Sequence, residues 1–225
     1  MYEALSPKGL AVVAIALDSR GEAASRPWIE RAAPSYPCLI DQRHVLSELY
    51  GITNVPTAFW VDEEGRIVRP PESSSGASYG SVFSHGRFDR AKGTLTEDGE
   101  AALRQALQPY RDAVADWVMH GSASRFVLSP ETILERTTPP DGKRSEAAAC
   151  FHLARYLFDQ GQAQEAAPLF QRATELWPES ISYLRQWGDI EVPGSMGGER
   201  FFKRTAEARA RGEALSGMAT DIYGE

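Results

Sequence analysis

YGITNVPTAFWVDEEGRIV, residues 50–68, is the stretch that decides the fold of the amino-terminal half. Gly51 ends a helical pattern, as glycine commonly does just past a helix. After Pro56, the apolar run TAFWV and the shorter run RIV flank DEEG, which is a turn signal. Two such runs around a turn predict an antiparallel hairpin.

The residues upstream of this stretch predict a parallel sheet. The run LAVVAIAL, residues 10–17, is apolar throughout and lies between Gly9 and Asp18, which predicts a strand buried on both faces. Within residues 19–33, Pro27 directly before WIERAA predicts a short helix with proline in its first turn. Residues 38–40 predict a second short strand, and residues 45–50 a helix. The order β, α, β, α, β, β places this half in the α/β class.

The rest of the chain predicts an irregular segment followed by helices. Residues 70–93 are rich in Ser and Gly and predict a long surface loop. Thr96 then caps a long helical pattern, and Ser129 with Pro130 opens another helix. We therefore expect an α/β domain over residues 1–95 and an all-α domain over residues 96–225. The segment TTPPDGK, residues 137–143, is the expected hinge between the two halves of the chain.

Composition excludes several classes of protein. The chain has 225 residues, of which 42% are apolar, and this content is too high for a disordered protein. Its net charge of −7 and scattered basic residues argue against nucleic acid or an anionic membrane as a partner. No stretch reaches the roughly 18 apolar residues of a membrane span. The two cysteines form no motif, so we expect a reducing, cytoplasmic location.

Residues 2–70 resemble the thioredoxin-like redoxin group, which includes thiol–disulfide oxidoreductases and the alkyl hydroperoxide reductase/thiol-specific antioxidant family. The resemblance rests on Tyr50-Gly51, on Val55-Pro56-Thr57 and on the strand–Asp–Gly–strand pattern. It places Val55, Pro56 and Thr57 at the family's cis-proline loop, which offers backbone groups to an extended substrate.

The resemblance implies redox chemistry at a helix start that this sequence lacks. MYEALSPKG, residues 1–9, matches the end of the family's redox-active helix, and no Cys-x-x-Cys precedes it. The family's central strand is missing with it, which predicts an incomplete thioredoxin-like sheet. Three explanations of the missing strand follow: the sequence is a fragment of a longer gene, the sheet is rearranged, or the sheet is completed across a homodimer.

The loop over residues 70–93 offers two further candidates. If it folds over Pro56, Tyr79 and Phe83 would line a cleft there.

A second resemblance, over residues 147–180, is to the tetratricopeptide repeat. The six positions that match its pattern are Leu153, Ala154, Ala166, Phe170, Ala173 and Pro178. The small residues would let paired helices approach closely, and Gly161 would supply the turn between them. The resemblance implies a helix–turn–helix, used for packing against the α/β half or for binding a peptide in its groove.

Cysteine and histidine side chains are the candidates for chemistry. Cys38, in a predicted strand, is expected to be a buried thiol, and Cys150 likewise. His44 follows Asp41 and suggests a carboxylate–imidazole pair near a helix start. Asp116 and His120 are four residues apart in a predicted helix, so their side chains could bind the same ligand. No metal or cofactor signature is present, so we expect neither.

The sequence thus predicts a redoxin-family protein without a dithiol site that acts as a binding or scaffold module. Its expected partners are a second copy of itself and a peptide or protein. Two enzymatic alternatives stay open. One is a thiol oxidoreductase or peroxidase that uses Cys38 or a site encoded upstream of Met1. The other is a hydrolase that uses His44, His85 or His120 in the proline cleft.

Overall fold

The computed structural model of the chain describes residues 1–74, 86–89, 94–137, 139–195, 197–211 and 221–222. It is a mixed α/β structure with small sheets and a helical carboxy-terminal region. Tyr79, Phe83 and His85, which the sequence proposed for a site, lie outside the described residues.

The described helices and strands alternate in the first half of the chain, and the second half is helical. The helices are α1 (Tyr2–Leu5), α2 (Glu22–Ala32), α3 (Val45–Leu49), α4 (Glu97–His120), α5 (Pro130–Arg136), α6 (Gly142–Asp159), α7 (Ala163–Leu176), α8 (Ile181–Glu191) and α9 (Gly198–Ala210). The strands are β1 (Ala14–Ala16), β2 (Cys38–Ile40), β3 (Thr57–Val61), β4 (Ile67–Ser73), β5 (Phe88–Asp89) and β6 (Thr94–Leu95).

The chain forms two compact units, and each unit takes residues from both predicted domains. Unit 1 comprises residues 1–11, 56–137 and 218–225, and unit 2 comprises residues 12–55 and 138–217. The predicted boundary at residue 95 therefore does not coincide with a boundary between units. The predicted hinge at residues 137–143 does contain the point where the chain passes from unit 1 to unit 2.

The strands pair two by two. β1 and β2 are parallel, with Ala14 opposite Cys38, as expected for this segment. β3 and β4 are antiparallel, and so are β5 and β6. The predicted strand over residues 10–17 is shorter than expected, and its residues are half-buried instead of buried. Among the described residues no strand covers the second edge of β1, because this sheet has two strands only.

Two local predictions need correction. The helix over residues 22–32 begins at Glu22, so Pro27 lies inside it and not in its first turn. The Gly21 carbonyl accepts the first helical hydrogen bonds, from the N–H groups of Ala24 and Ser25. β4 also runs through Pro70 and Pro71 to Ser73, so the predicted loop at 70–93 begins with strand residues.

The predicted hairpin in unit 1 is confirmed. Asp62 accepts hydrogen bonds from the backbone N–H groups of Glu64 and Arg66, and Gly65 adopts a φ of +79°, which glycine allows. The hairpin carries Trp60, which is 4% exposed and stacks on Trp117 of α4 at 4.9 Å between ring centroids. α4 begins as predicted, because the Thr96 hydroxyl accepts from the Gly99 N–H.

A buried charge cluster is the second feature of unit 1. The Arg69 side chain is 1% exposed, and its guanidinium donates to both carboxylate oxygens of Glu72, at 2.7 and 2.9 Å. It also donates to the Phe126 carbonyl at 2.7 Å and contacts the carboxylate of Asp221. A buried guanidinium needs such partners, because an unpaired buried charge is costly.

Unit 2 is built around the α6–α7 hairpin and α8. Ala154, Ala166 and Ala173 are completely buried where the helices pack, as their small size predicted. Phe151 of α6 stacks on Tyr183 of α8 at 4.2 Å, and Trp187 of α8 stacks on Phe170 of α7. The helix–turn–helix over this region is therefore observed, with Leu153 left 48% exposed.

The Arg69 cluster gives the first test. We expect Arg69→Met to lower the free energy of unfolding by about 3–5 kcal/mol, because it leaves the Glu72 carboxylate buried and unpaired. The matched control is Arg66→Met on the same hairpin, whose guanidinium is exposed and paired with Asp62. The free energy of unfolding should fall far less in Arg66→Met, because water screens the exposed ion pair. Urea unfolding of the three proteins measures this, and equal losses would contradict a structural role of the cluster.

Candidate functional site

The predicted site residues that the structure describes fall in both units. Cys38 lies in β2 and His44 at the start of α3, both in unit 2. Val55 ends the first segment of unit 2, whereas Pro56 and Thr57 belong to unit 1. Cys38 and His44 are therefore described within unit 2.

The Cys38 thiol contacts a backbone carbonyl group. Cys38 is half-buried, and its Sγ–H donates a weak hydrogen bond to the carbonyl oxygen of Tyr36 at 3.8 Å. Cys150 is also a free thiol, and it packs against the core of unit 2.

His44 lies at the centre of unit 2. It is 1% exposed, precedes α3 with a φ of +57°, and presents its ring edge to Phe151 and Tyr183. Its Nε2 lies 2.9 Å from the hydroxyl oxygen of Ser19, which is completely buried. Its Nδ1 is buried and has no hydrogen-bond partner among the described residues.

Burial keeps the His44 ring neutral. Loss of solvation lowers the pKa of His44 to about 4, although the carboxylates of Asp41 and Glu48 act in the opposite direction. The positive charges of His152 and Arg155 lower it further. A neutral imidazole with a hydrogen bond to a serine hydroxyl is the arrangement of a general base and a nucleophile.

The expected carboxylate–imidazole pair between Asp41 and His44 does not form as a hydrogen bond. Asp41 instead accepts from the backbone N–H groups of Val45 at 2.9 Å and Leu46 at 2.8 Å. Both oxygens thus satisfy the free amides at the start of α3, which every helix must pair. Asp41 therefore positions α3 and does not orient the imidazole.

Glu48 connects three helices of unit 2. One of its oxygens accepts from the Tyr183 hydroxyl at 2.6 Å and lies 2.9 Å from Nε2 of His152. The hydrogen bond to Glu48 raises the pKa of His152, with burial opposing it. Burial, with the same carboxylate, raises the pKa of Tyr183. His152 is therefore more readily protonated than His44, and the two imidazoles of unit 2 differ in charge on acidification.

A cleft of about 830 Å³ opens beside these residues. One wall is the segment from β2 to α3, and the other is α6. Its volume falls in the range of ligand pockets in proteins. The polar and aromatic side chains that line it are Asp41, Gln42, Arg43, His44, Phe151, His152, Arg155, Tyr156 and Asp159. The site is therefore a mixed-charge cleft in which Phe151 is buried, whereas Tyr156 is 61% exposed.

The Ser19 hydroxyl is not accessible from the cleft. Ser19 is 0% exposed, and its backbone N–H donates to the Gln186 side chain at 2.7 Å. A nucleophile must reach the reacting carbon within bonding distance, and a completely buried hydroxyl does not. The pair accordingly acts as a buried hydrogen bond in the core.

Asp116 and His120, which the sequence suggested as a shared ligand site, pair with each other on the surface of α4. The His120 ring nitrogen Nδ1 lies 3.4 Å from the carboxylate of Asp116 and 2.9 Å from the backbone carbonyl oxygen of Asp116. Within the described ranges, no three His, Cys, Asp or Glu side chains are arranged to hold a metal ion.

Searches among protein-family models, curated proteins and solved structures find no match for this chain. None of the described helices has the length and apolar character needed to cross a bilayer.

Several residues that line the cleft were not among the site residues predicted from the sequence. Arg155, Tyr156 and Asp159 come three, four and seven residues after His152, which places the four side chains on one face of α6. That polar stripe was readable in the sequence. Arg43 carried no such signal, because its role depends on α6 lying opposite it.

His44 gives a test of this environment. Unfolded histidine binds a proton below about pH 6.5, but folded His44 resists protonation down to about pH 4. The free energy of unfolding should therefore fall as the pH is lowered from 6.5 to 4, by up to about 3 kcal/mol from this group. The variant His44→Asn removes the titration and suits the left-handed backbone.

Urea unfolding of wild type and His44→Asn at several pH values measures the effect. The contribution of His152 has the opposite sign, since stability from a raised pKa is lost as the pH rises. The His152 contribution is present in wild type and in His44→Asn, so it cancels when the free energies of unfolding of the two proteins are subtracted. A difference between the two proteins that does not change with pH would contradict the burial of a neutral His44.

Proposed function

We propose that this chain is a binding module of thioredoxin-like descent and that its ligand site is the cleft of unit 2. The observation that carries the proposal is the contrast in exposure around that cleft. Tyr156 and Val45 line it and are 61% and 46% exposed, so a ligand can contact them. The groups capable of covalent chemistry, Ser19 and His44, are buried, and the Cys38 thiol is hydrogen-bonded.

Thioredoxin-like descent is the part of the proposal that rests on resemblance. Features that support it are the parallel pair β1–β2 with α2 between the strands, and the hairpin that follows Pro56. The chain contains two cysteines, Cys38 and Cys150, so it carries no Cys-x-x-Cys. Two free thiols fit a reducing compartment, and we propose the cytoplasm as the place of action.

The helices of unit 2 serve as the scaffold in this proposal. The alanine-lined contact between α6 and α7 supports a tetratricopeptide-like repeat, whose rigid helix pair presents one face to a ligand. α6 would then supply both the buried contact to α7 and the exposed stripe in the cleft. A rigid wall reduces the entropy lost when a peptide binds.

Hydrolysis is a second candidate, favoured by one observation. The 2.9 Å distance between Ser19 Oγ and His44 Nε2 is suitable for proton transfer. It requires a conformation in which Ser19 becomes exposed. A screen with generic ester substrates, comparing wild type with Ser19→Ala, tests this candidate.

We also propose that two copies of the chain associate through the open edge of β1. Val13 and Leu39 are each 53% exposed beside this two-stranded sheet, although parallel strands are usually covered. An uncovered strand edge pairs readily with another chain. A second copy would supply the additional strands.

Sedimentation tests the association. Wild type should shift from monomer to dimer as its concentration rises, and Val13→Lys should remain monomeric, because a lysine at a strand edge blocks pairing. The control is Val61→Lys, which changes an exposed valine of unit 1. A wild type that stays monomeric at every concentration would contradict the proposal.

The binding proposal is tested by panning a random dodecapeptide display library against the full chain. We expect enriched peptides whose affinity falls about tenfold in Tyr156→Ala, as for an aromatic contact worth more than about 1 kcal/mol. The matched control is Trp28→Ala, which removes an exposed aromatic side chain of α2 outside the cleft lining. Fluorescence anisotropy of the labelled peptides gives the affinities.

Two results would refute the binding function. One is the absence of any enriched peptide, and the other is a set of peptides that respond equally to the two variants. Reduction of insulin disulfides by wild type but not by Cys38→Ser would instead establish thiol chemistry.

A further inference from the structure

We infer that the cleft of unit 2 selects an acidic peptide segment, with a side-chain carboxylate of the peptide held by Arg43 beside His152. This inference rests on the binding function proposed above and adds the chemical class of the ligand.

The first argument is that the carboxylates of the cleft are already engaged. Both oxygens of Asp41 accept from backbone amides of α3. Asp159 accepts from Arg155 at 3.0 Å. Glu48, which does not line the cleft, accepts a hydrogen bond from the Tyr183 hydroxyl and contacts Nε2 of His152. Asp41 and Glu48 are therefore poorly placed to receive a cationic ligand, and Asp159 already pairs with Arg155.

The second argument concerns Arg43, which lines the same cleft and is exposed. No ion pair joins it to any residue in the part of the chain that the structure describes. A guanidinium offers two parallel donors that match a carboxylate, and such charge-assisted pairs are stronger than neutral hydrogen bonds. Arg43 is thus the group in the cleft that is available to bind an anion.

The third argument is the position of Arg43 opposite His152. Arg43 belongs to the wall formed by the segment from β2 to α3, and His152 belongs to the opposite wall, α6. The hydrogen bond to Glu48 raises the pKa of His152 and the charge of Asp41 acts in the same direction, whereas the charge of Arg43 lowers it. A carboxylate bound by Arg43 would therefore lie near the His152 imidazole.

The apolar part of the lining suits the rest of such a segment. Tyr156 and Val45 are exposed on opposite walls, one on α6 and one on α3. They can cover the methylene groups and backbone of a peptide whose carboxylate reaches Arg43. The chain as a whole carries a net charge of −7, so recognition of an acidic ligand depends on these local contacts.

The test uses two blocked decapeptides, one of alternating Glu and Ala and one of alternating Gln and Ala. NMR titration of the ¹⁵N-labelled full chain gives both dissociation constants. We expect the Glu peptide to bind about tenfold more tightly than the Gln peptide, because it forms charge-assisted hydrogen bonds. We expect the preference to vanish in Arg43→Gln.

The matched control is Arg26→Gln, which removes the same charge from α2, outside the cleft lining. It should keep the tenfold preference. A preference that persists in Arg43→Gln, or wild type that binds both decapeptides equally, overturns the inference. Both results leave the binding function in place if the enriched display peptides still depend on Tyr156. Loss of that dependence refutes the binding function itself.

Discussion

The buried stack of Phe151 on Tyr183 is the contact on which unit 2 depends. It joins α6 to α8, and the edge of the His44 ring lies against both aromatic rings. The start of α3 is thereby held beside α6, and the space between them is the cleft. Aromatic pairs of this kind combine a large buried area with a preferred geometry. The core of unit 2 therefore sets the distance between the walls of the cleft that we propose as its ligand site.

The same core controls the charges of the site. Burial keeps His44 neutral, whereas the contact with Glu48 makes His152 easier to protonate. The carboxylate of Asp41 is used by the amides of α3, so it contributes to structure instead of binding. The exposed side chains of the lining include the cation Arg43 and the aromatic ring of Tyr156. This division between buried reactive groups and exposed contact groups is the physical reason to prefer binding over catalysis.

Unit 1 shows how far a local pattern can mislead. Arg69 and Glu72 flank Pro70 and Pro71, and this segment suggested the beginning of a surface loop. In the structure the two charged side chains are 1% exposed and pair with each other. The partners that allow this burial include the Phe126 carbonyl and Asp221, which are remote in sequence. No local rule identifies such partners.

The sequence by itself determined the features that depend on a few neighbouring residues. These are the hairpin after Pro56, the Thr96 cap and the alanine contact of the α6–α7 pair, because turns, caps and periodicity are encoded locally. Tertiary structure alone decided that Ser19 is buried against His44, and that Arg43 lies across a cleft from α6. Burial and electrostatic environment depend on which distant surfaces pack together, and a single sequence does not specify that packing by any short pattern.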